Sequence, residues 1–240
     1  MTIMSTRNVH TIFRRELRSY FNSPVAYVVI IVFLSIIGWF FSSNLFLMNV
    51  ASMRIVFELV PIVFLFFVPA VTMRLLAEEK KSGTIELLTT KPVRDVEIIV
   101  GKFLAAWVLL AAALAPTFLY AVALAFLGPL DVGPVFTGYI GLLLMGAVYI
   151  GIGLFASSLT ENQIIAFIVS FLIILGLFLL DKVLMYVPDA LASTMEFLAV
   201  DYHLSNIARG VIDSRNVIYF LSLLGFSLMA ATVSLERRKW

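Results

Sequence analysis

Six long apolar runs separated by short polar connections organise this chain, at roughly residues 24–48, 55–77, 98–127, 135–159, 163–187 and 217–234. Each is close to or above the ~20 residues that a helix needs to cross the hydrocarbon of a bilayer. Lipid supplies no partner for backbone N–H and C=O groups, so each run predicts a membrane-spanning helix, and the whole an all-α polytopic membrane protein. The third run, about 30 residues, is longer than one crossing demands and predicts tilt or an extension beyond the lipid. Pro61, Pro69 and Pro116 fall inside runs; each removes a backbone hydrogen bond and predicts a kink.

Before the first run the pattern changes. Val9, Ile12, Phe13, Leu17, Tyr20 and Phe21 recur at helical spacing, while Arg7, Arg14, Arg15 and Arg18 fall mostly elsewhere on the wheel. Residues 1–23 therefore predict a basic amphipathic helix in the membrane interface, its arginines toward anionic headgroups. It serves either as a plain anchor or as an elbow that carries motion to the first span. In the fourth run, Gly138, Gly141, Gly146, Gly153 and the pair Ala147-x-x-x-Gly151 make an unusually thin helix. Small residues let backbones approach closely, within one subunit or at a dimer seam.

Composition agrees with the spans: 62% hydrophobic and 13% charged, against about 45–50% and about 25% in soluble domains. Charge placement then orients them. Thirteen of the 17 Lys and Arg lie on one side: Arg7, Arg14, Arg15, Arg18, then Arg74, Lys80, Lys81, Lys91, Arg94, Lys102, then Arg237, Arg238, Lys239. Arg54, Lys182, Arg209 and Arg215 lie on the other. The positive-inside rule puts both termini and the 78–97 connection in the cytoplasm, and an even number of spans agrees. One transmembrane domain over 1–240 is expected.

Much chemistry is missing. A formal charge of +2 makes no case for nucleic acid. With no cysteine, disulfides, thiolate metal sites and cysteine nucleophiles are excluded. The first run exceeds the ~7–15 residues of a signal-peptide core, so no cleavable signal is expected. No Gly-rich loop precedes Lys-Ser or Lys-Thr, so nothing here cradles a nucleotide phosphate. His10 and His203 are predicted on opposite sides, and Asp201 beside His203 reads more simply as a surface or capping pair than as a metal pair. No catalytic residue, metal site or resident cofactor is assigned. Only Glu58 is placed within a span, which argues against a proton- or sodium-driven transporter.

The densest charge lies at 74–88, Arg-Leu-Leu-Ala-Glu-Glu-Lys-Lys-Ser-Gly-Thr-Ile-Glu-Leu-Leu, a wet island between apolar runs that closes at Lys91-Pro92. Charges of both signs beside Ile85, Leu87 and Leu88 suggest a surface that docks a soluble partner.

Three stretches resemble the membrane subunits of type-2 ABC exporters. The first is Pro69-x-x-x-Met73-Arg74, then Glu78-Glu79-Lys80-Lys81-x-Gly83-Thr84-x-Glu86-x-Leu88, Pro92 and Glu97-x-x-x-Gly101-Lys102. The second is Gly153-Leu154-Phe155-Ala156-Ser157-Ser158-Leu159-Thr160-x-Asn162-Gln163. The third is His203-Leu204-x-x-Ile207-x-Arg209-Gly210-Val211-Ile212-Asp213. Within the family, the short chain, the Arg209-to-Asp213 run and the Glu236-Arg237-Arg238-Lys239-Trp240 tail look closest to gliding-motility-type permeases. Relatives of the copper-maturation permease of nitrous oxide reductase clusters are the nearest rivals.

The resemblance implies a multi-pass protein of the bacterial inner membrane without chemistry of its own. A second permease subunit and two cytoplasmic ATPase subunits on separate chains are its partners, with ATP and Mg bound by the ATPase and an additional envelope protein in a gliding-type assembly. Residues 82–91 would form a coupling helix seated in the ATPase. Gly83 or Thr84 starts it, Glu86 favours its positive dipole end, and Pro92 stops it. Ile85, Leu87 and Leu88 supply the apolar contact, with Glu78, Glu79, Glu86 and Lys91 as charged rim. Ser158, Thr160 and Asn162 form a second cytoplasmic turn. The 188–216 segment, with His203, Arg209 and Asp213, would tuck into the outer leaflet as a gate. One departure is Arg94, where members often carry Ser or Thr; Asp95 is expected to cap the third span instead, one residue later. A membrane-embedded scaffold and an ion-driven secondary transporter are the competing readings.

Overall fold

A computed structural model describes residues 5–47, 52–84, 93–128, 130–183 and 195–237. α1 (Thr6–Asn22) turns at Ser23 into α2 (Pro24–Leu47), and α3 (Arg54–Thr72) runs on into α4 (Arg74–Lys81). α5 (Asp95–Leu114) passes through a 3-10 turn at Ala115–Thr117 into α6 (Phe118–Leu127). α7 (Val132–Leu159), α8 (Gln163–Val183), α9 (Val200–Ile207) and α10 (Ser214–Glu236) complete the described helices. Six stretches are long and apolar enough to cross a membrane: Pro24–Leu47, Arg54–Lys81, Asp95–Leu127, Val132–Leu159, Gln163–Val183 and Ser214–Glu236. These are the six predicted spans, and the protein is an all-α polytopic membrane protein. The predicted end of the fifth, 184–187, lies outside the described residues.

The prolines act differently from one another. Pro116 sits in the 3-10 turn that separates α5 from α6, so the long third run is two helices in series. Pro61 and Pro69 stay inside α3, whose ladder parts only at Met73, one turn past Pro69.

α7 is the hub and the most deeply buried span. Its glycines each admit a different neighbour. Gly138 lies under the Phe57 ring and Gly153 under Thr72, both of α3; Gly146 faces Leu110 of α5 and Gly151 faces Ser227 of α10. At Gly141 a Cβ would come within 2.7 Å of Leu204 of α9. The thin stripe therefore packs the subunit's own helices. By contrast α2, α8 and α10 turn apolar side chains outward, among them Trp39, Leu172 and Phe226. In lipid such a surface costs nothing.

Two short helices flank this bundle. The start of α1 and the end of α10 lie on one face, here the terminal face; the opposite one is the far face. At the terminal face α1 lies along α5, burying Val9, Ile12 and Tyr20. Gly101 makes the approach possible, since a Cβ there would sit 2.8 Å from Ile12 Cγ2 and 3.2 Å from the Val9 carbonyl. α1 is thus docked on protein as well as amphipathic. At the far face α9 buries Val200, His203, Leu204 and Ile207. Its contact with Gly141 lies about 13 Å along α7 from Val132.

Candidate coupling site at the terminal face

The site begins where α3 gives way to α4. Met73 keeps helical backbone angles, φ −53° and ψ −34°, yet the ladder opens there. Ser157 of α7 fills the gap: its Oγ accepts from the Leu76 and Ala77 N–H groups, both at 3.0 Å, and donates to the Met73 carbonyl at 2.9 Å. A hydroxyl inserted into the i→i−4 ladder is an identifiable cause of a helix break. Across the same junction the buried Tyr20 of α1 donates to the Val71 carbonyl at 3.0 Å. The Arg74 guanidinium lies over the Tyr20 ring, 4.9 Å from its centroid. Burial pushes the Tyr20 hydroxyl well above its ordinary range, so it stays a donor at every physiological pH.

One turn further on, four charges lock α1, α4 and α5 together. Lys102 of α5 is 1% exposed, and its Nζ reaches Glu16 of α1 at 3.1 Å and Glu79 of α4 at 2.9 Å. Arg15 of α1 reaches the same two carboxylates at 2.7 and 2.9 Å. Two cations thus alternate with two anions, the arrangement that offsets the cost of burying an ammonium. Burial raises the Glu16 carboxyl, but Lys102 and Arg15 outweigh it and hold it below its ordinary value. A cavity of about 430 Å³, lined by Arg15, Glu16, Tyr20, Arg74, Glu79 and Lys102 among others, opens beside the cluster.

Two sequence expectations change here. Arg15, although half exposed, is paired with Glu16 and Glu79 rather than free for headgroups, while Arg7, Arg14 and Arg18 are exposed. Lys102 is a buried base within the Asp95–Leu127 span, so Glu58 is not the sole ionisable group inside a span. Of the assigned rim, Glu78 is exposed and Glu79 is turned inward onto Lys102.

The arms of the connection are closed by local chemistry. Gly83 ends α4: its φ is +68°, left-handed, and its N–H donates to the Lys80 carbonyl at 3.1 Å. Thr84 Oγ1 lies 2.9 Å from Ser82 Oγ. Ile85, Glu86, Leu87 and Leu88 lie outside the described residues, as does Lys91. On the returning arm α5 starts at Asp95, and Arg94 is its N-cap. The expected one-residue shift of the cap to Asp95 does not occur. An Arg side chain has no acceptor, so half of a capping box is made, by Glu97 accepting from the Arg94 N–H at 3.2 Å. Glu97 also accepts from Ser5 N–H at 2.6 Å and Asn8 Nδ2 at 2.8 Å, tying the start of α1 to the start of α5.

The second turn is built for helix ends. Thr160 is extended and closes α7; its Oγ1 accepts from Asn162 N–H at 3.1 Å. Asn162 caps α8 by accepting from Ile164 N–H at 2.9 Å. Ser158 Oγ donates to the Phe155 carbonyl at 2.6 Å, and the Ser158 carbonyl takes the Lys80 ammonium of α4 and Ser234 Oγ of α10.

A family model for ABC-2 family transporter proteins matches residues 48–200, well over half of the chain. The chain belongs to the ABC-2 transporter family. No curated protein matches it. It is accordingly a membrane permease component of an ABC transporter.

In this ABC-2 permease the three far-face residues are not brought together. His203 is buried and stacks on Tyr219 at 3.9 Å. Its Nε2–H donates to the Phe197 carbonyl at 2.9 Å, and its Nδ1 meets the Asn216 side-chain amide at 2.7 Å. Arg209 is exposed at the end of α9. Asp213 caps α10, accepting from Arg215 N–H at 2.9 Å. Sequence reasoning passed over Ser157, Glu16, Tyr20 and Lys102 as site residues. The available signals were a lone acid in Arg14-Arg15-Glu16-Leu17-Arg18 and a lone lysine entering an apolar run.

Proposed function

We propose that this ABC-2 permease is driven by a cytoplasmic ATPase on a separate chain, which grips it through the 82–91 connection. Glu78, Gly83, Thr84, Ile85, Glu86, Leu87 and Leu88 supply the contact, and ATP and Mg stay with the partner. A pull on α4 would reach α1 and α5 through Glu79 and Lys102, and α7 through Ser157. The reading rests above all on the buried Lys102, which joins both arms of the connection to the elbow helix. A partner shifts such an equilibrium only by binding its two states unequally.

Both termini and the connection face the cytoplasm of a bacterial inner membrane in this reading, with a second permease subunit completing the transporter. The Arg209-to-Asp213 run and the carboxyl-terminal tail favour the gliding-motility-type branch. Glu86→Lys is expected to abolish capture of the ATPase while leaving membrane insertion intact; unchanged capture refutes the coupling role. Cysteine at Ser82 should label from the cytoplasmic side and cysteine at Val211 from the other; the reverse pattern overturns the topology.

A further inference from the structure

The far face holds a cavity of about 930 Å³ that the coupling reading does not use. It lies between the outer end of α3, the start of α7, the end of α8, and α9. Half of its lining residues are apolar, Phe57, Ile62, Val135, Phe178 and Leu204 among them. Ile62 lies about 12 Å along α3 from Arg54. One turn below it, the Phe66 and Phe171 rings meet at 5.1 Å across the α3–α8 seam. The α3–α8 seam is thus in contact beneath Ile62, and the cavity reaches about 12 Å below Arg54, close to the depth of one leaflet's hydrocarbon.

Its rim is charged, and the charges do not cancel. Arg54 pairs with Glu58 at 2.7 Å. Lys182 is shared by Asp181 at 3.0 Å and Asp201 at 2.7 Å, leaving one surplus negative charge there. Asp131 accepts from Gly133 N–H at 3.2 Å as the cap of α7. Arg209 has no carboxylate partner among the described residues. Gly210 fixes its place: with φ +100° it ends α9 against Pro134, where a Cβ would lie 3.2 Å from Pro134 Cδ. Arg209 and Asp131 thus flank the same corner without bonding to each other. What remains uncompensated is one cation and a small excess of anions, above a greasy pit.

We propose that this cavity binds a phospholipid whose headgroup carries both a phosphate and a primary ammonium, with the phosphate on Arg209, the ammonium among Asp131 and Asp201, and an acyl chain along Phe57 and Phe178. A phosphate alone would leave the surplus acids unpaired, and a quaternary ammonium has no N–H to donate to them. The pit is of the size range of small-molecule sites, and its apolar depth distinguishes a lipid from a soluble head of the same chemistry.

The cysteine-free chain makes the test direct. Ser205 lines the cavity and is exposed. Full-length S205C in nanodiscs, where both faces are open, is labelled with a soluble maleimide in phosphatidylethanolamine, phosphatidylglycerol or phosphatidylcholine. Labelling should be slowest in phosphatidylethanolamine, by roughly tenfold, the weight of one charge-assisted hydrogen bond. Arg209→Gln should remove that protection and Arg209→Lys should keep it. Asp131→Asn keeps the helix cap, since Asn caps as well as Asp, and should weaken protection in phosphatidylethanolamine alone. Equal rates in the three lipids, or protection that survives Arg209→Gln, overturn the proposal. Equal protection by soluble phosphoethanolamine in phosphatidylcholine discs overturns the lipid assignment in favour of a free small molecule. None of these outcomes involves the ATPase, so they stand apart from the coupling reading.

Discussion

The two faces of the bundle use charge in opposite ways. At the terminal face, Lys102 reaches Glu16 and Glu79, residues 86 and 23 positions away, so each bond joins separate helices. At the far face, Arg54–Glu58 and Lys182–Asp181 are local pairs, and only Lys182–Asp201 crosses between helices. A buried network of that first kind transmits displacement because losing one member strands the rest. Exposed local pairs transmit little and are worth little. The terminal face is built as a joint, the far face as a mouth.

Four measurements test that contrast, in order of expected size. Lys102→Met should destabilise the protein by about 3 kcal/mol in thermal or denaturant unfolding, because two partly buried carboxylates are left with only the half-exposed Arg15 between them. Combining it with Glu16→Gln and Glu79→Gln should restore much of the loss; no recovery would mean that packing, not charge, holds the joint. Ser157→Ala should cost about 1–3 kcal/mol by stranding the Leu76 and Ala77 N–H groups, seen as faster amide exchange in α4. Acid should act on the same joint. Glu16 is held below 4.5 in the folded protein, so its contribution is complete above that value and is lost as pH falls through its lowered one. Exchange in α1 should therefore rise on acidification before exchange in α7 does. Arg54→Ala, at the far face, should change stability by under about 1 kcal/mol; a larger loss would erase the distinction between the faces.

The spans were legible because each carries its own signal: a continuous apolar run needs no partner to be recognised. The glycines of α7 announced close packing but not which helix each admits, since that depends on crossings between distant segments. Caps at Asn162 and Asp213 obey local chemistry, although both residues drew functional readings first. The joint was illegible for a different reason. Glu16, Glu79 and Lys102 sit in three separate stretches, and each alone looks like an ordinary charge near a helix end. Arg94 shows the limit of local rules: a residue that cannot accept a hydrogen bond still occupies the cap, because Glu97 answers from the other side.

With glycine notches on several sides, each filled by another element, α7 can neither roll about its axis nor slide lengthwise without a collision. It is an axle locked to α3, α5, α9 and α10. Rearrangement must come from segments with freer surroundings, and α2 and α8, the least buried spans within this subunit, have the most room to swing. Probes on the axle and its α3 and α5 neighbours would keep fixed spacings through a transport cycle, while probes on α2 and α8 would report the stroke.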